Sequence, residues 1–143
     1  MKIVRIEPEH FQQCEQIEFS AFGGGRNDDF EKCSKDKNYI VLVACEDKDV
    51  LGYVIGLNIA DTVEIISIAV DGAKRRVGIG GELVRSLLRE SMGRGAVEAF
   101  LEVGEKNLGA RALYEKTGFV AISVRQKYYN NSEDAIIMKM QLV

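Results

Sequence analysis

A basic, glycine-rich turn set between a strand pattern and a helix pattern constrains this chain more than any other stretch. The run Glu64-Ile65-Ile66-Ser67-Ile68-Ala69-Val70 is apolar and rich in β-branched residues. Arg75-Arg76-Val77-Gly78-Ile79-Gly80-Gly81 follows, and from Glu82 to Glu90 apolar residues recur at helical spacing. Strand, turn and helix in that order place bare backbone N–H groups at a positive helix end, a seat for a phosphate or pyrophosphate. The two arginines add charge-assisted donors. Missing side chains at Gly78, Gly80 and Gly81 permit close approach.

The remaining elements are read around that unit. Lys2 to Ile6 alternates as a strand, and Pro8 suits the first position of a helix whose apolar face is Phe11, Cys14, Ile17 and Ala21. Gly23-Gly24-Gly25 ends it, and Asn27-Asp28-Asp29 caps a short second helix from Phe30 to Lys35. The glycine-rich joint is a candidate substrate loop or a plain connector. Tyr39–Glu46, Val50–Ile59 and Val63–Val70 form three successive antiparallel strands, with Gly52 and Gly56 marking a bulge or a close backbone approach. After the turn come a helix from Gly78 to Met92, with Ile79, Leu83, Val84, Leu87 and Leu88 as its apolar face, and a strand from Ala96 to Val103. A helix from Asn107 to Lys116 follows, with Leu108, Ala112 and Leu113 as its core stripe, and Gly118 as its C-cap. Phe119–Arg125 and Ala135–Met140 are the last strands. The order β-α-α-β-β-β-α-β-α-β-β predicts an α/β (α+β) fold. It has a single mixed, mostly antiparallel sheet of about seven strands flanked by helices, and residues 1–143 are read as one domain.

Several functions are set aside by what is missing. G-x-x-x-x-G-K-[ST] does not occur, and Leu83 stands where the third glycine of G-x-G-x-x-G belongs. A net charge of −3 gives no global field for nucleic acid. The longest apolar run, Tyr39 to Cys45, is too short to cross a bilayer, and charges from Lys2 onward interrupt any signal-peptide core, so a cytoplasmic location away from membranes is expected. Cys14, Cys33 and Cys45 are odd in number and scattered, which suits free, buried thiols in a reducing compartment. His10 is the sole histidine, so no metal site is expected.

A second constellation narrows the phosphate turn: Leu101-Glu102-Val103 and Asn107, running on to Leu113-Tyr114-Glu115-Lys116-Thr117-Gly118-Phe119. Together the two stretches resemble the GNAT acetyltransferase superfamily, which transfers acetyl from acetyl-CoA to amines. Within it, Ile68-Ala69-Val70-Asp71, Leu101-Glu102-Val103, Ala112-Leu113-Tyr114-Glu115 and Tyr128-Tyr129 followed by Glu133-Asp134-Ala135 resemble the protein N-terminal acetyltransferases. These are the RimI type, which modifies a ribosomal protein's N-terminal alanine, and its archaeal and eukaryotic counterparts. The likeness runs from about Val63 to Met140. The first third departs from it: RimI-type enzymes carry Phe-Pro-Trp in the loop after the first helix, whereas Gly23-Gly24 follows Phe22 here.

The resemblance implies an acetyl-CoA-dependent N-acetyltransferase acting by direct transfer on the α-amino group of a protein N-terminus. Acetyl-CoA is the co-substrate, and no metal takes part. Arg75, Arg76, Val77, Gly78, Ile79, Gly80 and Gly81 would hold the pyrophosphate. Ile68, Ala69 and Val70 would pair with the pantetheine arm, the Val70 N–H serving as oxyanion donor. Asn107 would be a further CoA contact, and it is equally a natural N-cap. Glu102 would take the amine's proton, through a water if need be, and Tyr114, twelve residues on, would protonate the leaving thiolate. Phe22, Tyr128 and Tyr129 would line the acceptor slot. Two other readings stay open at this level: acetylation of lysine side chains, polyamines or other small amines, and a CoA-binding module without turnover.

Overall fold

A computed structural model of the chain describes residues 1–74, 78–126 and 133–143. Seven strands form one sheet in the order β1-β2-β3-β4-β5-β7-β6. They are β1 (Lys2–Arg5), β2 (Tyr39–Glu46), β3 (Asp49–Ile59), β4 (Thr62–Val70), β5 (Glu98–Gly104), β6 (Val120–Arg125) and β7 (Ala135–Gln141). Among the described residues only β4 and β5 run parallel, and every other neighbouring pair is antiparallel. The helices are α1 (Phe11–Phe22), α2 (Phe30–Lys35), α3 (Ile79–Gly93) and α4 (Leu108–Thr117). The element order and the mixed sheet are those read from the sequence, apart from 3-10 turns at Pro8–His10 and Gly72–Lys74. No helix of the described residues is long and apolar enough to cross a membrane.

Each face of the sheet carries its own core. On one, Leu83, Val84, Leu87 and Leu88 of α3 pack on Leu42, Val54 and Ile65. On the other, Cys14 and Ile17 of α1 and Phe30 of α2 pack on Val43, Tyr53 and Ile55. The apolar face read for α3 is buried in full. Gly52 and Gly56 lie under that helix. A Cβ on Gly56 would meet Leu87 Cδ1 at 2.5 Å, and one on Gly52 would meet the Ala69 carbonyl at 2.8 Å. Both glycines also adjoin register shifts, so the bulge and the close approach occur together.

Three details correct the sequence reading. Ala21 is exposed, and Glu18 shares the inner side of α1 instead. In α4 the stripe Leu108, Ala112 and Leu113 holds only at Leu113. Leu108 is 69% exposed and Ala112 is exposed, whereas Ala110, Leu113, Tyr114 and Thr117 line the inner side. Those four hold the i, i+3, i+4, i+7 spacing of one helix face, set by Leu113 beside Gly80 and by Tyr114 edge-on to Phe119. Of the cysteines only Cys14 is fully buried, its thiol pushed up to about 12 by that burial; Cys33 and Cys45 are half-buried.

Candidate active site

The site begins with one extra residue. In the β3–β4 ladder Ile55 faces Ser67 and Gly56 faces Ile65, so Ile66 has no opposite number. Such a bulge shifts the alternation by one residue. Before it, Val63 and Ile65 pack beneath α3; beyond it, Ile68 and Val70 do, and Ser67 turns toward Tyr53 on the α1 side. The pairing of β4 with β5 also stops here. It covers Thr62–Ile65 against Glu98–Leu101, after which β5 follows β7. The sheet therefore splits between its fourth and fifth strands. The Asp71 N–H bonds the Leu51 carbonyl at 2.8 Å. Strand alternation then turns the backbone groups of Val70 and Ile68 away from β3, toward the opened edge. Ala69 lies on the paired side, opposite Tyr53.

A cleft of about 700 Å³ fills this split, walled by Ile68–Val70, the start of α3 and α4. Gly78 caps α3 at φ +97°, a left-handed conformation that suits glycine. The first intrahelical bond runs from the Glu82 N–H to the Gly78 carbonyl at 2.9 Å, leaving the N–H groups of Ile79, Gly80 and Gly81 without helical partners. The Ile79 side chain is in the core, so only its backbone can serve the cleft. Asn107 lines the cleft and caps α4, its side chain accepting from the Ala110 N–H at 3.1 Å. Tyr114 lines it too, 6% exposed, its hydroxyl pushed up to about 12 by burial. Arg75, Arg76 and Val77 lie outside the described residues, as do Tyr128 and Tyr129.

A second cleft, of about 660 Å³, adjoins the split at Ile65 and Ile66. Phe22 lines both clefts. Glu102 lines the second; it is exposed between buried Leu101 and Val103, as strand alternation requires. Arg125 of β6 donates to its two oxygens at 3.1 and 3.4 Å. Glu64, Glu133 and Arg26 complete the polar wall. Glu133 accepts from the Lys106 N–H at 2.7 Å and covers Gly104, where a side chain would collide with it. Glu133 belongs to a segment that the resemblance marks, whereas Arg125, Arg26 and Glu64 are marked by no local motif; chain crossings bring all four together.

Beneath this wall lies a polar network. Glu18, 3% exposed, accepts the Asp28 N–H at 3.1 and 3.2 Å, and the Tyr53 hydroxyl reaches it at 3.4 Å. Tyr53 also bonds Ser67 at 3.1 Å. Burial, and then its hydrogen bond with the Asp28 side chain, lift the Glu18 carboxyl from 4.5 to about 7. Burial pushes Asp28 upward as well, but hydrogen bonds from Glu18 and Arg26 outweigh it and hold that carboxyl below its ordinary value. Of the pair, Glu18 is thus the one that holds a proton into the neutral range. A raised folded-state value means that Glu18 contributes stability below about pH 4.5 and loses it as pH rises through about 7. The melting temperature is expected to fall between pH 6 and 8 by an amount equivalent to about 1 kcal/mol. Glu18→Gln, which keeps the neutral form, should flatten that slope in a thermal melt series; an unchanged slope would assign it to other groups.

The acetyltransferase (GNAT) family profile matches residues 4–119. The chain belongs to the GNAT acetyltransferase family. It is accordingly an acyltransferase, an N-acetyltransferase. This GNAT chain is 34% identical over 112 residues to the ribosomal protein bS18-alanine N-acetyltransferase of Salmonella typhimurium, covering 76% of each. The crystal structure of the corresponding Escherichia coli enzyme superposes with a TM-score of 0.84 at 27% identity, covering 99% of this chain and 93% of that one. An aminoglycoside 6'-N-acetyltransferase solved with coenzyme A shares the fold, with a TM-score of 0.85 at 16% identity and coverage of 100% and 98%.

Proposed function

We propose that this enzyme acetylates the N-terminal α-amino group of a protein, a ribosomal protein foremost, using acetyl-CoA in a ternary complex. Residues 1–143 act as one catalytic domain in the cytoplasm. The observation that carries the reading is the meeting of two unlike clefts at Phe22. One offers unpaired N–H groups and an open strand edge; the other is walled by carboxylates. The first suits a long diphosphate-bearing thioester, as the CoA-bound relative illustrates. The second suits an amine, and the RimI-type relative acts on a protein alanine.

Acetyl-CoA supplies the activated acetyl group. The N–H groups of Ile79, Gly80 and Gly81 hold its pyrophosphate, with Arg75, Arg76, Val77 and Gly78 completing the loop, and Asn107 adds a contact. The backbones of Ile68 and Val70 face the arm, and the Val70 N–H meets the oxygen on which charge develops. Phe22, Tyr128 and Tyr129 form the acceptor slot. Glu102 accepts the proton of the attacking amine, directly or through a water, as the C–N bond forms. Tyr114 donates to the sulfur as the C–S bond breaks. Over the cycle one proton passes from nitrogen to sulfur.

The test is acetyl transfer to peptides beginning with Ala, Ser or Met, run beside a panel of polyamines, lysine peptides with blocked N-termini and aminoglycosides. Acetylation of the peptide α-amine at the highest kcat/KM is expected. A small amine or lysine outcompeting every free N-terminus would reassign the acceptor. Acetyl-CoA binding with no acetylated product would make the chain a binding module.

A further inference from the structure

The notable polar feature outside the reaction scheme is Arg26. Among the described residues it is the one basic side chain lining the acceptor cleft, across which stand Glu64, Glu102 and Glu133. It does not hang freely in solvent, since a third of its side chain is exposed and Asp28 grips it side-on. Nε donates to Asp28 Oδ2 at 2.7 Å and Nη2 to Oδ1 at 3.1 Å. Asp28 is held in turn through its own N–H by the buried Glu18, which the Tyr53 hydroxyl also contacts. A guanidinium has five N–H donors in a rigid plane. Asp28 uses two of them, so both on Nη1 and one on Nη2 remain. The loop Gly23–Gly25 has no side chains of its own with which to orient a substrate, and the anchored Asp28–Arg26 pair gives it one fixed donor group.

The cleft's polarity matches a particular acceptor. A peptide N-terminus is a cation with a carbonyl acceptor one Cα away. A polyamine or a lysine side chain offers a cation with only methylenes beside it. Carboxylates, of which Glu102 is already paired with Arg125, and an anchored guanidinium at Arg26 complement the first and waste that guanidinium on the second.

We propose that Arg26 grips the first peptide carbonyl of the acceptor through the N–H groups that Asp28 leaves free, with Asp28 and the buried Glu18 as its positioning residues. The inference rests on the reading of the acceptor as a protein N-terminus and names how that N-terminus is told from a plain amine. Because the Asp28 grip neutralises Arg26 without consuming its donors, the arginine serves as an oriented hydrogen-bonding group more than as a free charge.

The test uses the full chain, acetyl-CoA and two probes: an Ala-initiated peptide, and the same peptide with its first amide replaced by an E-alkene, which removes the carbonyl and keeps the shape. Wild-type kcat/KM is expected to be about 10- to 100-fold lower for the alkene peptide, the size of one charge-assisted hydrogen bond. Arg26→Ala should lower kcat/KM for the amide peptide by a similar factor, should not distinguish the two peptides, and should leave the KM for acetyl-CoA unmoved. Arg26→Lys, with a donor but no fork, should recover only part. Asp28→Ala, which frees the guanidinium to swing, should raise the peptide KM. If wild type acetylates both peptides equally well, or Arg26→Ala still discriminates between them, the carbonyl grip is wrong while the N-terminal acceptor stands. If wild type acetylates neither peptide but turns over polyamines or aminoglycosides, the acceptor reading and this inference fall together.

Discussion

Tyr114→Phe is expected to lower kcat about 100-fold, the low end of what a positioned acid contributes. The substitution removes one oxygen and leaves the ring. Its edge contact with Phe119, at 5.9 Å between centroids, should persist, so the fold and acetyl-CoA affinity should change little. The direction of the hydroxyl's shift bears on what it does. Burial lifts it to about 12, roughly three units above an ordinary thiol. Full proton transfer from this phenol to a thiolate is therefore uphill by itself. Tyr114 acts by donating a hydrogen bond as charge grows on sulfur, the transfer being completed only because the amine's proton is released in the same cycle. Two observations follow. The pH–rate profile should show no alkaline limb from Tyr114 below about pH 11. Glu102→Gln should lower kcat separately, through loss of the acceptor for the amine's proton. If Tyr114→Phe and Glu102→Gln together leave turnover intact, the chemistry belongs to other groups.

Leu87→Ala is expected to cost about 2–5 kcal/mol, seen as a fall in melting temperature of about 10 °C for a chain of this size. Leu87 is fully buried at the centre of α3 and fills the hollow that Gly56 leaves in the sheet. A Cβ at Gly56 would occupy the same space, so Gly56→Ala is expected to destabilise as well, through overpacking. The double variant decides the geometry. With Leu87 shortened, the alanine methyl has room, so the pair should be less destabilised than the two single losses summed. Strict additivity in denaturant titrations would mean that α3 does not seat on Gly56. Acetyl-CoA should partly restore the Leu87→Ala variant by mass action, because the N-terminus of α3 is part of the proposed binding site.

Structure is legible locally where one element carries its own signal. The helix after the glycine turn shows its apolar face at regular spacing, and all five of its named residues are buried. Asp29 caps α2 as its residue type suggests, accepting from the Lys32 N–H at 3.0 Å. Glu102 is exposed between two buried neighbours by simple alternation. The phase of α4 is not legible locally, because Leu108 is apolar but sits in its first turn, while the helix's inward side is chosen by Gly80 and Phe119, distant in sequence. Glu18 carried a legible signal: it stands four residues after Cys14, on the apolar side of α1. A carboxylate there is costly unless partnered, and its partners come from the loop and from β3.

The sequence by itself determined the order of elements and the glycine-rich helix start with its unpaired N–H groups. These depend on bonding within a few residues, where backbone geometry leaves little choice. Tertiary structure alone decided where the sheet opens. One unopposed residue, Ile66, turns Ser67 inward and the backbones of Ile68 and Val70 to the gap; Gly56 hints at a bulge in its own strand, but which residue across from it is left unopposed is defined only against the partner strand. The acceptor side was decided the same way. Arg26, Glu64, Glu102 and Glu133 come from separate parts of the chain, and they share one cleft because the sheet and the buried Glu18–Asp28 contact hold them there.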